Sequence, residues 1–345
     1  MRTSIAVWRD ETHDQRNEDI DRCGGKNSSG ESGNIKPRCV TVGSKIILER
    51  SASRGDDHLI GFPSVREIGE LQERAARAVP AAVEENEAGC WLRYSDSAST
   101  WWAGATLLHG NARSRQLASR IAVAEAFYAA HGVPARFQVC PACPSGLDAA
   151  LAHRGYGCDS VVSLQVAITR TIADRGTARS LQVDLNDQLN EQWFELLMAA
   201  QGPDVDPAAE WRLLRRVDGR SAYATVSAFD HPVAVGRAVV DTGWVGVFHM
   251  ATLPAARRKG AASAVLAALA EWAISQGSEQ MYLQAERTNA AALNLYGRAG
   301  FEELCTYHYR TAAPGALTMA SPAGEHPLSI RRRASDIQLI IYQLI

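Results

Sequence analysis

Residues 243–273, GWVGVFHMATLPAARRKGAASAVLAALAEWA, constrain this chain more than any other segment. Residues 244–253 are an apolar run rich in Val and aromatic residues, which predicts a buried strand ending before Pro254. Residues 259–276 predict a helix, with Val265, Leu266, Leu269 and Trp272 at helical spacing. Between them lies the loop Arg257-Arg258-Lys259-Gly260-Ala261-Ala262. The first turn of a helix carries unpaired N–H groups and the positive end of the helix dipole. Gly260, Ala261 and Ala262 let a ligand come close to that backbone, and Arg257, Arg258 and Lys259 set three cations beside it. Strand, small-residue turn, helix and basic flank together suit a bound diphosphate.

The rest of the chain alternates strand and helix patterns, which implies an α/β protein. Residues 65–79 predict a helix, 91–94 and 101–108 strands, and 117–130 a helix with Leu117, Ile121, Ala124, Phe127 and Tyr128 on one face. A strand (136–139), a helix (145–153) and a strand (161–168) follow. Residues 169–180 read as a polar joint. Beyond it come a helix (186–200), two strands (222–229 and 233–240) about the turn Asp230-His231-Pro232, and after the 243–273 segment a strand (281–286), a helix (289–298) and a strand (304–309). A length of 345 residues fits two domains at about 150 residues each. The helix ends LDAALAHRGY and ALNLYGRAGF resemble each other, which suggests a duplicated unit.

Charge and cysteine usage narrow the partners. Thirty-six Lys+Arg against 38 Asp+Glu leave no basic excess for nucleic acid. No apolar run is long enough for a membrane span, and the N-terminus turns polar after Trp8, so a cytoplasmic protein is expected. Residues 1–62 are Gly/Ser-rich and linker-like apart from an apolar run at 40–48; residues 312–345 read as an irregular tail ending in IQLIIYQLI. The seven cysteines are odd in number and scattered, and reduced thiols are expected. Cys140-Pro-Ala-Cys143 has the spacing of a metal or redox pair. It lacks a second pair, and Pro141 and Pro144 read it as a turn, so no metal is expected.

Two blocks carry a family resemblance. Arg257-x-x-Gly260-x-Ala262 resembles the Gln/Arg-x-x-Gly-x-Gly/Ala signature of the GNAT superfamily of acyl-CoA-dependent N-acyltransferases. About 30 residues later, Asn289-Ala-Ala-Ala-Leu-Asn-Leu-Tyr296 through Gly300-Phe301 resembles that family's Asn-x-x-Ala-x-x-x-Tyr-x-x-x-Gly-Phe helix. The resemblance covers residues 180–311 and implies a catalytic GNAT domain there, a twisted mixed sheet flanked by helices. Residues 63–170 resemble a second, degenerate GNAT unit: HGNARSRQLASR lacks the signature spacing, and His153 and Arg154 stand where a Tyr would be sought.

The resemblance implies direct acetyl transfer from acetyl-CoA to an amine, with no acyl-enzyme. Backbone groups of Met250 and Thr252 would pair with the pantetheine arm. Arg257, Arg258, Lys259, Gly260, Ala261 and Ala262 would hold the pyrophosphate. Asn289 would touch the pantetheine or order the strand end, and Tyr296 would protonate the leaving thiolate. Some relatives carry an acid five residues before the Asn; here that position is Gln284. Glu286, on the same side of the strand, is the candidate base, with His249 a second candidate. The acceptor is a small-molecule amine or a protein amine, and Asp204, Asp206 and Glu210 are candidates for an acidic rim that attracts it. The competing function is a regulatory module that binds acetyl-CoA without transferring the acetyl group.

Overall fold

The computed structural model describes residues 64–110, 113–175, 181–313 and 343–344. The expectations for residues 1–62 and for tail residues 314–342 lie outside the described residues.

Helix α1 (Val65–Ala78) opens with a reciprocal cap: the Ser64 hydroxyl accepts from the Glu67 N–H, and the Glu67 carboxylate accepts from the Ser64 N–H. Strands β1 (Val83–Glu87) and β2 (Cys90–Tyr94) form a hairpin closed by Ala88 and Gly89, both at positive φ, the two-residue turn whose twist suits paired strands. Then come β3 (Thr106–Leu107), α2 (Ser114–Ala130), β4 (Arg136–Val139), α3 (Leu147–His153) and β5 (Gly157–Ile168). The strand expected over 101–108 shrinks to β3, because residues 101–104 wind into a 3-10 turn. Hydroxyls of Ser95 and Thr100 meet at 2.6 Å there, and a Cβ on Gly104 would collide with the Ser95 backbone nitrogen, so that close approach requires glycine.

The first seven residues of the expected polar joint form helix α4 (Thr169–Arg175), anchored by buried Thr169 and Ile172; two inward side chains sufficed where overall polarity hid them. Residue 186 ends a strand, β6 (Gln182–Asn186), instead of opening a helix. Helix α5 (Glu191–Gln201) starts later because the Asn190 carboxamide accepts from the Trp193 N–H at 2.9 Å. Helix α6 (Pro207–Arg215) is capped by Asp206. Strands β7 (Ser221–Ala228) and β8 (His231–Asp241) turn at Phe229-Asp230, not at Asp230-His231-Pro232. Both turn residues need positive φ, which Phe229 and Asp230 adopt and which the proline ring forbids. Strand β9 (Trp244–Thr252), α7 (Ala261–Ser275), β10 (Gln280–Glu286), α8 (Ala290–Ala299), β11 (Glu302–Thr311) and β12 (Gln343–Leu344) complete the chain. Strand β12 falls in the tail's last run, IQLIIYQLI.

The strands form one mixed sheet in the order β1-β2-β3-β4-β11-β5-β10-β9-β8-β7-β6, with β12 added to β9. Strand β5 lies between β11 and β10 and is antiparallel to both, while β11 also pairs with β4. Helices cover both faces. Helix α7 is buried nearly all round, with Val265, Leu266, Leu269 and Ala270 in a core that also takes Ile172 from α4 and Tyr296 from α8. On the other face, Trp193 and Leu197 of α5 and Leu214 of α6 pack on Tyr223, Val235 and Ala251. No helix among the described residues is long and apolar enough to cross a membrane. Cys90, Cys140, Cys143 and Cys305 are free thiols, as expected; Cys158 departs from that expectation in being disulfide-bonded, since spacing along a chain does not reveal which sulfurs meet.

Candidate active site

The site begins with an irregularity in β9. Val235 faces Ala251 and Arg237 faces Phe248, so His249 and Met250 together oppose Gly236 alone. This is a β-bulge, and His249 takes φ +52° there. A left-handed conformation at a non-glycine residue costs on the order of 1–2 kcal/mol. Packing holds it: a Cβ on Gly236 would stand 2.5 Å from Met250 Sδ and from Val265 Cγ1, so β8 and β9 lie tight against α7. Pairing of β9 with β10 runs only from Trp244 opposite Gln280 to Val247 opposite Leu283. Beyond Leu283 the two strands part, and the freed edge of β9 at Met250 and Ala251 pairs in parallel with Gln343 and Leu344 of β12.

Past β9 the chain makes a 3-10 turn (Pro254–Ala256) and enters α7 through Arg258 at φ +60° and Gly260 at φ +87°. No side chain among the described residues caps α7, so its first N–H groups lack a side-chain partner there. They open on a cavity of about 440 Å³ lined by Thr252, Arg258, Gly260, Ala261 and Ala262 from this segment and by Asn294 and Arg298 from α8, among others. The Thr252 hydroxyl is buried there with no hydrogen-bond partner among the described residues.

Most of the expected pyrophosphate group is therefore brought together. Arg257 also reaches the cavity, but its Nε donates to the Thr252 carbonyl at 3.2 Å and braces the strand end. Lys259 is exposed and outside the lining. The Met250 side chain is buried under α7, leaving only its backbone for the strand edge. The Asn289 carboxamide accepts from the Ala292 N–H at 3.0 Å and caps α8. Sequence reasoning missed Asn294 and Arg298; their spacing of one helical turn on α8 was the available signal.

Tyr296 is fully buried on α8, in edge contact with Phe301 at 5.8 Å between ring centroids. Its Oη has no hydrogen-bond partner among the described residues. Burial pushes its pKa well above 10, so the phenol keeps its proton. Glu286, at the end of β10, accepts from the Thr288 hydroxyl at 3.2 Å, and burial raises its carboxyl above the ordinary value. Its neighbour Arg287 pairs instead with Glu303. Gln284 lies in a buried amide cluster: its Nε2 and that of Gln138 on β4 both donate to Gln72 Oε1 of α1.

His249 Nε2 and Glu210 Oε1 meet at 2.9 Å, both side chains at most 5% exposed. Desolvation lowers the His249 pKa, the bond to Glu210 opposes that fall, and the Arg237 charge adds to it. The expected acidic rim does not form as three free carboxylates, because Glu210 is turned inward to His249 and Asp206 caps α6; Asp204 remains exposed.

A continuous mixed sheet, a bulged strand that parts from its parallel neighbour and an uncapped helix at the gap define the GNAT class of acyltransferases. Residues 65–310 match the family described as probable histone acetyltransferase Rv0428c C-terminal. An uncharacterized N-acetyltransferase YobR of Bacillus subtilis (strain 168) is 26% identical over 251 residues, 71% of this chain and 98% of that protein. A GCN5-related N-acetyltransferase from Kribbella flavida superposes with a TM-score of 0.57 at 16% identity, covering 73% of this chain and 96% of the other. A tandem GNAT protein from the clavulanic acid biosynthesis pathway superposes with a TM-score of 0.52 at 12% identity, covering 73% and 88%. The chain belongs to the matched family and is a GNAT-type N-acetyltransferase.

Proposed function

We propose that this enzyme moves an acetyl group from acetyl-CoA directly to an amine acceptor. The observation that carries the reading is the uncapped start of α7, opening on the cavity where Arg258 and Arg298 stand. The N–H groups of Ala261 and Ala262 and these two guanidinium groups would hold the diphosphate. The backbone edge at Met250 and Thr252 would take the pantetheine arm, as a strand takes a neighbour. The buried Thr252 hydroxyl in the cavity lining, with no partner among the described residues, fits this carrier; the Tyr296 hydroxyl, likewise without one, lies outside that lining.

The carrier supplies an acetyl group activated as a thioester. Glu286 takes the proton that the amine must lose before it can attack. The backbone N–H of the bulge faces the developing oxyanion. Tyr296 gives its proton to the departing sulfur, which leaves as a thiol. Asn289, by capping α8, is a positioning residue for Tyr296. The acceptor is a small-molecule amine or a protein amine; the description of the matched family makes a histone-type lysine one member of the panel to test.

The test is calorimetry with acetyl-CoA, together with thiol release measured against polyamines, amino sugars and lysine peptides. Gly260→Glu puts bulk and negative charge into the cradle, and we expect it to abolish binding of acetyl-CoA. Wild-type affinity in that variant would show the site to be misplaced. The reading as a binding module without transfer has one observation in its favour, the amide at Gln284 where some relatives carry an acid. It predicts heat on binding and no thiol release with any acceptor.

A further inference from the structure

Apart from the cleft, His109 and the Cys140–Cys143 pair, 31 positions further along, converge at the ends of β3 and β4. Cys140 Sγ lies 3.8 Å from Cys143 Sγ and 3.8 Å from His109 Nε2. All three atoms lie within 4.8 Å of one another, the one such group of three among the described residues. We propose that His109, Cys140 and Cys143 bind a zinc ion, with a water molecule as fourth ligand.

Two of the three distances suit a metal. Two thiolates at about 2.3 Å from a tetrahedral zinc ion lie roughly 3.8 Å apart, so the sulfurs need no rearrangement. The Cys-Pro-Ala-Cys segment is a turn, closed by a 3.0 Å bond from the Cys143 N–H to the Cys140 carbonyl. The Cys140 N–H points at Cys143 Sγ at 3.3 Å, a donor that would stabilise negative charge on a bound sulfur. His109 is held from behind: its Nδ1 meets Glu73 Oε1 of α1 at 3.1 Å, which turns Nε2 towards the sulfurs. A carboxylate behind a ligating imidazole is the usual outer support of a metal-bound histidine. Two thiolates and an imidazole favour zinc over magnesium or calcium, which prefer oxygen.

Topology makes the convergence possible. Strands β3 and β4 are parallel neighbours, so the loops that follow them leave from the same end. A 3.1 Å bond from the Gly110 N–H to the Ala142 carbonyl stitches those loops together. His109 and Cys143 are half-buried, which leaves an ion a way in. On binding, each thiol gives its proton to solvent and zinc takes the two thiolates; no oxidant is required. The ion would clamp both loops to α1.

The experiment titrates the full chain, reduced and stripped of metal, with Co(II) and then Zn(II). We expect one equivalent of Co(II) to give thiolate charge-transfer and tetrahedral d–d absorption, both erased by Zn(II), and zinc to raise the melting temperature. Cys143→Ser and His109→Ala should each lose the thiolate-cobalt spectrum, and Glu73→Gln should weaken metal affinity about tenfold. Where a ligand variant fails to fold, Glu73→Gln and the zinc-dependent melting of the wild type decide. Absence of the spectrum in the wild type, its persistence in Cys143→Ser, or a pair that closes to a disulfide and takes no metal after reduction would each overturn the proposal.

Discussion

Tyr296 carries two opposed demands on one atom. Burying a hydroxyl without a partner costs about 1–3 kcal/mol, so the free protein is less stable for it. We therefore expect Tyr296→Phe to melt at the same temperature as the wild type or higher, while turnover falls about a hundredfold or more. Parallel loss of stability and turnover would assign the phenol to the core alone. Glu286 gives the second residue-scale prediction. Burial raises its carboxyl, so the acid limb of kcat/KM should lie above 4.5, the group's ordinary pKa. Below that limb the carboxylate is protonated and cannot accept from the amine; above it the rate is full. Glu286→Gln should remove the limb and cost about a hundredfold in rate. An unchanged profile would move the base to His249. That Arg258, Gly260, Ala261 and Ala262 share one cavity wall was legible in the sequence because they lie within five consecutive positions. The isolation of the Tyr296 hydroxyl and the pairing of His249 with Glu210 were not, since both depend on what distant elements place around them. The same holds for His109, which meets Cys140 across 31 positions.

At the scale of elements, local signals set helix starts and hairpin turns better than composition did. Asn190 and Asp206 cap α5 and α6 as their side chains dictate, yet α4 was hidden by a polar sequence with two inward residues. Strand β12 bears on function. It lies on the stretch of β9 edge that the proposed pantetheine contact requires. Its few backbone bonds are worth about 1 kcal/mol each at most. Removing residues 314–345 should then tighten acetyl-CoA binding by about five- to thirtyfold, the range that 1–2 kcal/mol spans. Calorimetry on the shortened chain checks this, and unchanged or weaker binding would remove β12 from the competition.

Across the described residues as a whole, the sheet is joined by exchanged strands. Strand β5 sits between β10 and β11, β11 pairs in turn with β4, and the Gln72, Gln138 and Gln284 amides lock α1, β4 and β10 together. Alternating patterns predicted most of the strands and helices, though not β1, α4, β6 or α6; neighbours in a sheet are chosen by non-local pairing, and nothing in a local window shows that order. Calorimetric unfolding should give one cooperative transition for residues 64–313; two separated transitions would mean that the exchanged strands do not couple the parts. The exchange also bears on ancestry. If the two stretches arose by copying, the copies have since become mutual hostages: a recombination that carried residues 181–313 into another gene would leave behind the rib that separates β10 from β11. Such stretches are inherited together.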